Sequence, residues 1–260
     1  MKEIFFLSGL PRAGNTLFGS LMNQNPNVAV TANSITADMM GELFSLKKID
    51  IFQNYPDHKS FDNVAAKVFE HYYQDWEADY IIDRAPWGMP ANLGFLKHTR
   101  KNIKIIVLVR DIIEVLASFV RWSEREPTSF INKHAKTVEE KCDKLMNKDG
   151  VIVKELIAVK HLLHDENKGL YKIIEYNDLV EHPKRTIESV YDYLEIPKFK
   201  HHYINLDQFK VNDMSYDETL LGERLHTIKT DAIYKEKYDA RTIIPKSIID
   251  QYEQCNFWKG

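Results

Sequence analysis

The fold of this chain is decided by residues 5–18, FFLSGLPRAGNTLF. An apolar run meets Gly9, Pro11 and Gly14 and is followed by apolar residues at helical spacing, which predicts a buried strand, a tight turn and a helix. A helix N-terminus offers unpaired backbone N–H groups and the positive end of the helix dipole. Because a glycine-containing turn lets the backbone close around an anion, the stretch predicts a phosphate-binding loop.

The spacing of this loop is that of a P-loop without its lysine. Gly9, Gly14 and Thr16 match the pattern G-x-x-x-x-G-K-[ST], but Asn15 stands where the lysine belongs. That lysine neutralises the β- and γ-phosphates of nucleoside triphosphates, so this loop is poorly equipped for ATP or GTP. Arg12 supplies positive charge inside the loop instead. We therefore expect an anionic ligand other than a magnesium-bound triphosphate, the alternative being an ordinary strand-to-helix turn.

Composition is typical of one α/β domain. The 260 residues are 44% hydrophobic and contain no Gly-, Ser- or Pro-rich linker, so we expect a single domain over residues 1–260. The formal net charge of −3 argues against nucleic acid as a partner. Cys142 and Cys255 are expected to be reduced thiols. No apolar run approaches ~18 residues and the N-terminus does not resemble a signal peptide, so we expect a cytoplasmic protein without a membrane span.

Two predicted strands end at arginines. Residues 80–82 lead to Arg84, and residues 103–110, IKIIVLVR, are typical of a buried parallel strand that ends at Arg110. Functional groups in open parallel sheets gather at the carboxyl ends of the strands, so both arginines are expected at a ligand. For Arg84 the alternative is a surface ion pair with Asp83.

The strand that ends at Arg110 leads into an amphipathic helix. Asp111 is expected to cap this helix, whose apolar face begins at Ile112. Ser118 follows Arg110 by eight residues, and a helix leaning over the strand end would bring the hydroxyl and the guanidinium to one phosphate.

Hydrophobic periodicity predicts the remaining helices. They are expected over residues 16–24, from Asn33 or Ser34 to 46, over 60–76, within 133–167, up to 194 and over 244–257. His161 and His164 are three residues apart, but with no third metal ligand in the sequence pattern we interpret them as solvated helix residues.

At these residues the sequence resembles the sulfotransferase superfamily, whose 5'-phosphosulfate loop reads approximately P-[KR]-[SA]-G-[TN]-[TS]-[LW]. Residues 9–17, GLPRAGNTL, followed by NPNV at 25–28, are most similar to its tyrosylprotein and bacterial branch. Arg110 with Ser118 resembles the family's 3'-phosphate signature, and residues 176–183, YNDLVEHP, resemble a segment whose tyrosine lies against the adenine. The resemblance implies a P-loop-like three-layer αβα fold with a central, mostly parallel sheet.

The resemblance also implies a cofactor and the residues that bind it. The family uses 3'-phosphoadenosine 5'-phosphosulfate (PAPS) as co-substrate, without a metal. The residues implied to bind it are Gly9, Pro11, Arg12, Ala13, Gly14, Asn15, Thr16, Leu17, Arg110, Ser118, Tyr176 and Lys229. For Tyr176 the alternative is a place in the core. Lys229 lies in a late segment, residues 222–229, that folds over the cofactor phosphates in related proteins.

The candidate catalytic residues are Arg12, Arg84, Asn33 and His226. Arg84 would contact the moving sulfuryl group. The position of Asn33 carries a catalytic glutamate in the tyrosylprotein branch, and an amide cannot accept a proton as a carboxylate does. Asp38, Glu42, Asp83 and His226 are the other candidates for the base, and we favour His226 because its unperturbed pKa lies near neutrality.

Three functions are consistent with these patterns. The first is a sulfotransferase that moves a sulfuryl group from PAPS to a hydroxyl or amine of a small-molecule, sugar, lipid or peptide acceptor. The second is a P-loop-type small-molecule kinase, which Asn15 disfavours. The third is a non-catalytic module that binds 3'-phosphoadenosine nucleotides, which Asn33 suggests.

Overall fold

A five-stranded sheet forms the centre of the protein. In the computed structural model, which describes residues 2–133, 135–217, 219 and 224–259, the strand order is β2-β3-β1-β4-β5. The strands are β1 (Glu3–Gly9), β2 (Val28–Val30), β3 (Tyr80–Arg84), β4 (Ile105–Val109) and β5 (Tyr171–Glu175). All four strand pairs of this sheet are parallel, so the predicted α/β fold with a parallel central sheet is confirmed.

Helices connect the strands and cover the sheet in a three-layer αβα arrangement. They are α1 (Asn15–Met22), α2 (Thr36–Ser45), α3 (Asp50–Asn54), α4 (His58–Tyr72), α5 (Pro90–Thr99), α6 (Ile112–Arg125), α7 (Val138–Met146), α8 (Val153–Leu162), α9 (Tyr176–Glu181), α10 (Pro183–Leu194), α11 (Ala240–Ile243) and α12 (Lys246–Tyr252). Short 3₁₀ helices span Leu46–Lys48, Asp165–Asn167, Glu253–Cys255 and Phe257–Lys259. Because both faces of the sheet are covered, every residue of β4 is buried.

Aromatic side chains fill the space between β1 and the α4 layer. The Phe6 ring meets the Trp87 ring at a centroid distance of 4.9 Å and the Phe69 ring at 5.5 Å, both in edge-on geometry. All three side chains are fully buried. Such contacts contribute about 0.5–1.5 kcal/mol each beyond the burial of their area, so they fix how α4 sits on the sheet.

Asp83 is the hub of a buried polar network behind the end of β3. Its carboxylate accepts hydrogen bonds from the Tyr73 hydroxyl, from Thr36 Oγ1 at 2.7 Å and from Trp87 Nε1 at 3.0 Å. The residue has no solvent exposure, and burial raises its pKa although these donors favour the charged form. The alternative of a surface ion pair between Asp83 and Arg84 is therefore excluded, and Asp83 is a buried structural carboxylate.

Several helix ends differ from the sequence expectations. Helix α2 begins at Thr36, whose N–H donates to Ser34 Oγ at 3.0 Å, while the Asn33 side chain turns away to Arg84. The hydrophobic periodicity of this helix places Ile35, Met39, Leu43 and Leu46 on one face and predicts that this face is buried. In the structure Ile35 and Met39 are exposed, and the buried residues are Thr36, Ala37 and Met40. The closing helix is shorter than predicted, since it ends at Tyr252.

The predicted cap of α6 is confirmed and is supported by the last described residues. Asp111 Oδ1 accepts from the N–H groups of Ile113 at 3.0 Å and Glu114 at 3.4 Å. Asp111 Oδ2 accepts from Asn256 Nδ2 at 3.1 Å and from Lys259 Nζ at 2.7 Å. These bonds and the basic partner lower the pKa of Asp111 against the opposing effect of its burial. The start of α6 is thus tied to the far end of the chain.

Among the helices of the described residues, none combines the length and the apolar character needed to cross a membrane.

Two substitutions show whether the stability of the fold depends on the hydrogen bonds of Asp83 or on its charge. Asp83→Ala leaves buried donors without an acceptor and should lower the free energy of unfolding by about 3 kcal/mol. Asp83→Asn should cost about 1 kcal/mol at most, because its amide oxygen can accept from Trp87 and its NH₂ can donate to the Tyr73 and Thr36 hydroxyls. Urea unfolding followed by circular dichroism measures both changes, and equal losses in the two variants would contradict the hub.

The pH dependence of stability gives a second check on Asp83. A carboxyl whose pKa is raised by folding binds its proton more tightly in the folded state than in the unfolded state. Stability therefore falls as pH rises from the ordinary pKa of aspartate through the raised one. Asp83→Asn should show a flatter decline than the parent across that window.

Candidate functional site

A pocket of about 510 Å³ lies at the carboxyl edge of the sheet. Its wall combines the loop after β1, the ends of β3, β4 and β5, helix α6 and a C-terminal strap, which we define as residues 224–238. The predicted site residues on the wall are Pro11, Arg12, Gly14, Asn15, Thr16, Leu17, Arg84, Arg110, Ser118, Tyr176, His226 and Lys229. Gly9, Ala13 and Asn33 are not part of the wall. Of the late segment named from sequence, residues 222 and 223 lie outside the described residues.

The two glycines of the loop are required for different reasons. A Cβ at Gly9 would stand 2.4 Å from the Leu108 carbonyl oxygen, so only glycine lets β1 pass this close to β4. Gly14 has a φ of 87° at the N-cap of α1, and its Cα faces the Tyr176 ring. Because α1 begins at Asn15, the N–H groups of its first turn lack acceptors within the helix and face the pocket end of the loop.

Asn15 braces the loop from inside. Its Nδ2 donates to the Leu10 carbonyl at 2.8 Å, and the side chain is buried. The Oδ1 atom of this amide is also buried and has no hydrogen-bond partner among the described residues. The side chain at the lysine position of the P-loop pattern therefore hydrogen-bonds to the backbone of the loop. It carries no charge into the pocket.

Arg12 joins the loop to α6 and to the strap. Its Nε donates to Ser118 Oγ at 3.1 Å, and its Nη1 donates to the Leu225 carbonyl at 2.6 Å. Burial and the nearby Arg110 guanidinium lower the pKa of Arg12. The arrangement therefore holds a desolvated positive charge beside a second one, which favours binding of an anion.

Arg110 is held by protein groups on several sides. Its Nη1 donates to the Arg12 carbonyl at 3.1 Å, its Nη2 to the Tyr238 hydroxyl at 3.0 Å, and its Nε to Glu114 at 3.0 Å. The guanidinium also lies over the Tyr176 ring, 4.1 Å from its centroid. The structure thus brings Arg110 and Ser118 together, as the sequence spacing suggests, and both meet at Arg12.

Arg84 reaches the pocket from β3, on the opposite side of β1 from Arg110. Its Nη1 donates to the Ala32 carbonyl at 3.0 Å and to Asn33 Oδ1, and its own N–H donates to Thr31 Oγ1 at 2.8 Å. Asn33 is exposed and its amide oxygen orients Arg84. Asp38 and Glu42, two further candidates for a base, are exposed on α2 outside the wall.

The C-terminal strap places one carboxylate among several cations. Glu236 lies 2.7 Å from Arg121 Nη1, 3.2 Å from Lys229 Nζ and 3.9 Å from Arg125 Nη1. His226 is stacked on Tyr216 at a centroid distance of 3.7 Å. Lys229 and His226 are therefore in the pocket as the sequence suggests, and Lys229 shares Glu236 with α6.

The wall is strongly cationic. Among the described residues that line the pocket, seven are arginine or lysine and two are glutamate. The seven are Arg12, Arg84, Arg110, Arg121, Arg125, Arg224 and Lys229. Since the formal net charge of the whole chain is −3, the positive charge is concentrated locally, as an anion site requires.

Glu155 on α8 is a candidate that sequence reasoning missed. Its Oε2 accepts from Ser8 Oγ at 3.4 Å and from the Gly9 N–H at 3.5 Å, where β1 enters the loop. Burial raises its pKa, and the charge of Arg84 acts in the opposite direction. Glu155 stands on the apolar face of α8, three residues after Ile152 and four before Val159, both of which are buried. A charged residue on the otherwise apolar face of α8 is the feature of the sequence that could have indicated Glu155.

Comparison with known proteins finds one family model. The model described as "Sulfotransferase family" matches residues 5–201. No curated protein sequence matches the chain.

Solved structures share the fold at low sequence identity. One is a sulfotransferase domain from the olefin synthase of Synechococcus PCC 7002, with 14% identity, a TM-score of 0.56 and coverage of 100% of this chain and 95% of that one. Another is the mouse sulfotransferase SULT7A1 complexed with PAP, with 12% identity, a TM-score of 0.56 and coverage of 97% and 82%. A sulfotransferase from Alicyclobacillus acidocaldarius has 12% identity, a TM-score of 0.54 and coverage of 78% and 85%.

The close approach at Gly9 can be tested with a matched pair of substitutions. Gly9→Ala should lower the free energy of unfolding by about 2 kcal/mol or more, because the new methyl group meets the Leu108 backbone. Gly94→Ala, on an open face of α5, should raise it by about 0.5–1 kcal/mol through helix propensity. Chemical denaturation measures both, and a neutral Gly9→Ala would contradict the contact.

Proposed function

Since this chain belongs to the sulfotransferase family, we propose that it transfers a sulfuryl group from PAPS to a hydroxyl or amine acceptor. The observation that carries the proposal is the meeting of Arg12, Arg110 and Ser118 in one cationic pocket. These residues come from the phosphate loop, the end of β4 and α6, which are distant in sequence. The support from a structural neighbour is that the mouse sulfotransferase was crystallised with PAP.

The residues present fit a nucleotide with phosphates at both ends of its ribose. The first-turn N–H groups of α1 and Arg12 are assigned to the 5'-phosphosulfate, with Thr16 beside them on the wall. Arg110 and Ser118 are assigned to the 3'-phosphate. The Tyr176 ring is assigned to the adenine, since it lines the same pocket. Lys229 supports the phosphates from the strap.

Catalysis by these residues is mainly positioning and charge stabilisation. When bound, PAPS supplies the sulfuryl group, and its 5'-phosphate oxygen keeps the electron pair of the broken S–O bond. Arg12 and the loop N–H groups stabilise negative charge at that oxygen. Arg84, on the other side of β1, stabilises the transferred group from the acceptor side, and Asn33 orients Arg84 for this role.

Two groups are candidates to take the acceptor's proton. His226 lines the pocket and remains a candidate from the sequence. Glu155 lies behind the pocket wall, beside the Gly9 N–H at the start of the loop and within the field of Arg84. Burial raises its pKa, which suits a general base. We assign the proton to the Glu155 carboxylate. In this step the acceptor O–H proton passes to Glu155 while the acceptor oxygen forms its bond to sulfur.

The transfer itself is tested with ³⁵S-labelled PAPS and a panel of phenol, sugar, lipid and peptide acceptors. A labelled product from any of these acceptors supports the proposal, because a non-catalytic nucleotide-binding module yields none. The competing kinase function predicts instead that ATP binds tightly and only with magnesium. Calorimetry with MgATP and with PAP decides between the two, and preference for MgATP would overturn the proposal.

Substitution of Arg110 tests the 3'-phosphate assignment. Arg110→Ala should weaken PAP binding by about 2–4 kcal/mol, the scale of losing a buried charged hydrogen-bond partner. Arg185→Ala is the control, because Arg185 is an exposed arginine paired with Asp178 outside the pocket. Calorimetric titration with PAP gives both affinities. Unchanged affinity in a folded Arg110→Ala variant would count against the site.

Substitution of Glu155 tests the base. Glu155→Gln should lower kcat by about 10²-fold or more, the typical contribution of a positioned base, while PAP affinity stays close to that of the parent. In the parent, activity should rise with pH through the raised pKa of Glu155, because only the carboxylate accepts a proton. The variant should lose this rise. If His226→Gln loses it and Glu155→Gln keeps it, the proton goes to His226.

A further inference from the structure

A second cluster of ligand-type side chains lies at the end of α8, outside the pocket. We propose that His161, His164 and Glu166 bind a divalent transition-metal ion such as Zn²⁺. Each offers one ligand atom, and these three atoms lie within 4.8 Å of one another. A tetrahedral ion with bonds of ~2.1 Å holds its ligands about 3.4 Å apart, so a small closure of exposed side chains completes the site. Glu166 is the third ligand that the sequence pattern alone did not supply.

A hydrogen bond to Gly88 occupies one ring nitrogen of His161 and leaves the other for an ion. Its Nδ1 lies 2.8 Å from the Gly88 carbonyl oxygen. A carbonyl only accepts hydrogen bonds, so Nδ1 carries the proton and the lone pair resides on Nε2. Histidine ligands of metals are commonly fixed by such a bond from the other ring nitrogen to a backbone carbonyl. The tautomer and ring orientation are therefore set before an ion binds.

The backbone that carries the ligands is anchored. Asn167 is fully buried, its N–H donates to the His164 carbonyl at 2.9 Å, and its Nδ2 donates to the His161 carbonyl at 2.8 Å. Lys97 Nζ in turn donates to Asn167 Oδ1 at 2.8 Å. The rings of His161 and His164 are in contact, with centroids 5.4 Å apart. The backbone of the ligands is thus already ordered, and binding an ion has to order only the exposed side chains of His164 and Glu166.

The surroundings favour a cation and define its class. His161 lies in the last turn of α8 and His164 just beyond its C-cap, where the helix dipole presents its negative end. Two imidazole nitrogens and one carboxylate oxygen suit zinc, cobalt, nickel or copper, whereas magnesium and calcium prefer oxygen ligands throughout. With three protein ligands, a tetrahedral ion keeps one position for water.

The site also touches the turn that follows β3. Gly88 packs directly on α8, since a Cβ there would stand 2.3 Å from the Ala158 carbonyl oxygen. A metal at His161 would therefore strengthen a contact between α8 and the turn four residues after Arg84. The inference concerns a site separate from the proposed reaction, because none of the three ligands lines the pocket.

The experiment titrates Co²⁺ and Zn²⁺ into the full-length chain freed of any histidine tag. We expect one ion per chain, with the visible absorption of tetrahedral Co²⁺, displaced by an equivalent of Zn²⁺. His164→Ala and Glu166→Gln change exposed residues and should each weaken binding at least tenfold. His202→Ala, an exposed histidine elsewhere, should bind like the parent.

Two results would overturn the site. One is the absence of one-to-one binding at ion concentrations up to about a hundred micromolar. The other is binding that His164→Ala and Glu166→Gln leave unchanged or that His202→Ala weakens equally, since this pattern indicates scattered surface histidines. His161→Ala should abolish ion binding, and it also removes the hydrogen bond between α8 and Gly88. Ion binding that persists in this variant would likewise contradict the site. Transfer activity plays no part in these measurements.

Discussion

The mutual repulsion of Arg12 and Arg110 is the constraint that shapes the pocket. Arg110 donates to the Arg12 carbonyl, and the nearby guanidinium helps to lower the pKa of Arg12. Two such charges in a desolvated place are stable only if acceptors surround them. The protein provides Ser118, the Leu225 carbonyl and Glu114, which hold the guanidinium groups apart and in register. The excess positive charge that remains is what an anionic ligand would neutralise.

The C-terminal strap contributes further acceptors to this cationic wall. Glu236 forms ion pairs with Arg121, Arg125 and Lys229. The Tyr238 hydroxyl accepts a hydrogen bond from Arg110. The strap thus supplies a carboxylate and a hydroxyl to cations that come from the end of β4, from α6 and from the strap itself.

Much of the fold could be predicted because its signals are local. The run at residues 103–110 is apolar at every buried position of β4, and the glycine spacing after β1 specifies the turn into α1. The ends of α2 and α12 were less predictable, because exposed apolar residues such as Ile35 and Met39 mimic a buried stripe. Tertiary contacts, which the periodicity of one segment does not contain, decide which face is covered.

The site was predictable in part for the same reason. Arg84 ends β3, while Arg12 and Arg110 come soon after β1 and β4, and strand ends converge in a parallel sheet. Glu155 and Glu166 were missed, since neither follows a strand and each gains meaning only through neighbours distant in sequence or brought near by a turn. Asp83 is the opposite case. Its place near a strand end made it a candidate base in the sequence, but in the structure it is a buried structural carboxylate.

The tie between Asp111 and the end of the chain has a practical consequence for handling this protein. Asn256 and Lys259 hold the cap of α6, and α6 carries Ser118 into the pocket. Shortening the chain before Asn256, or immobilising it through that end on a sensor surface, would disturb the helix on which the hydroxyl is mounted. Attachment through the amino end leaves the hydrogen bonds of Asn256 and Lys259 to Asp111 intact.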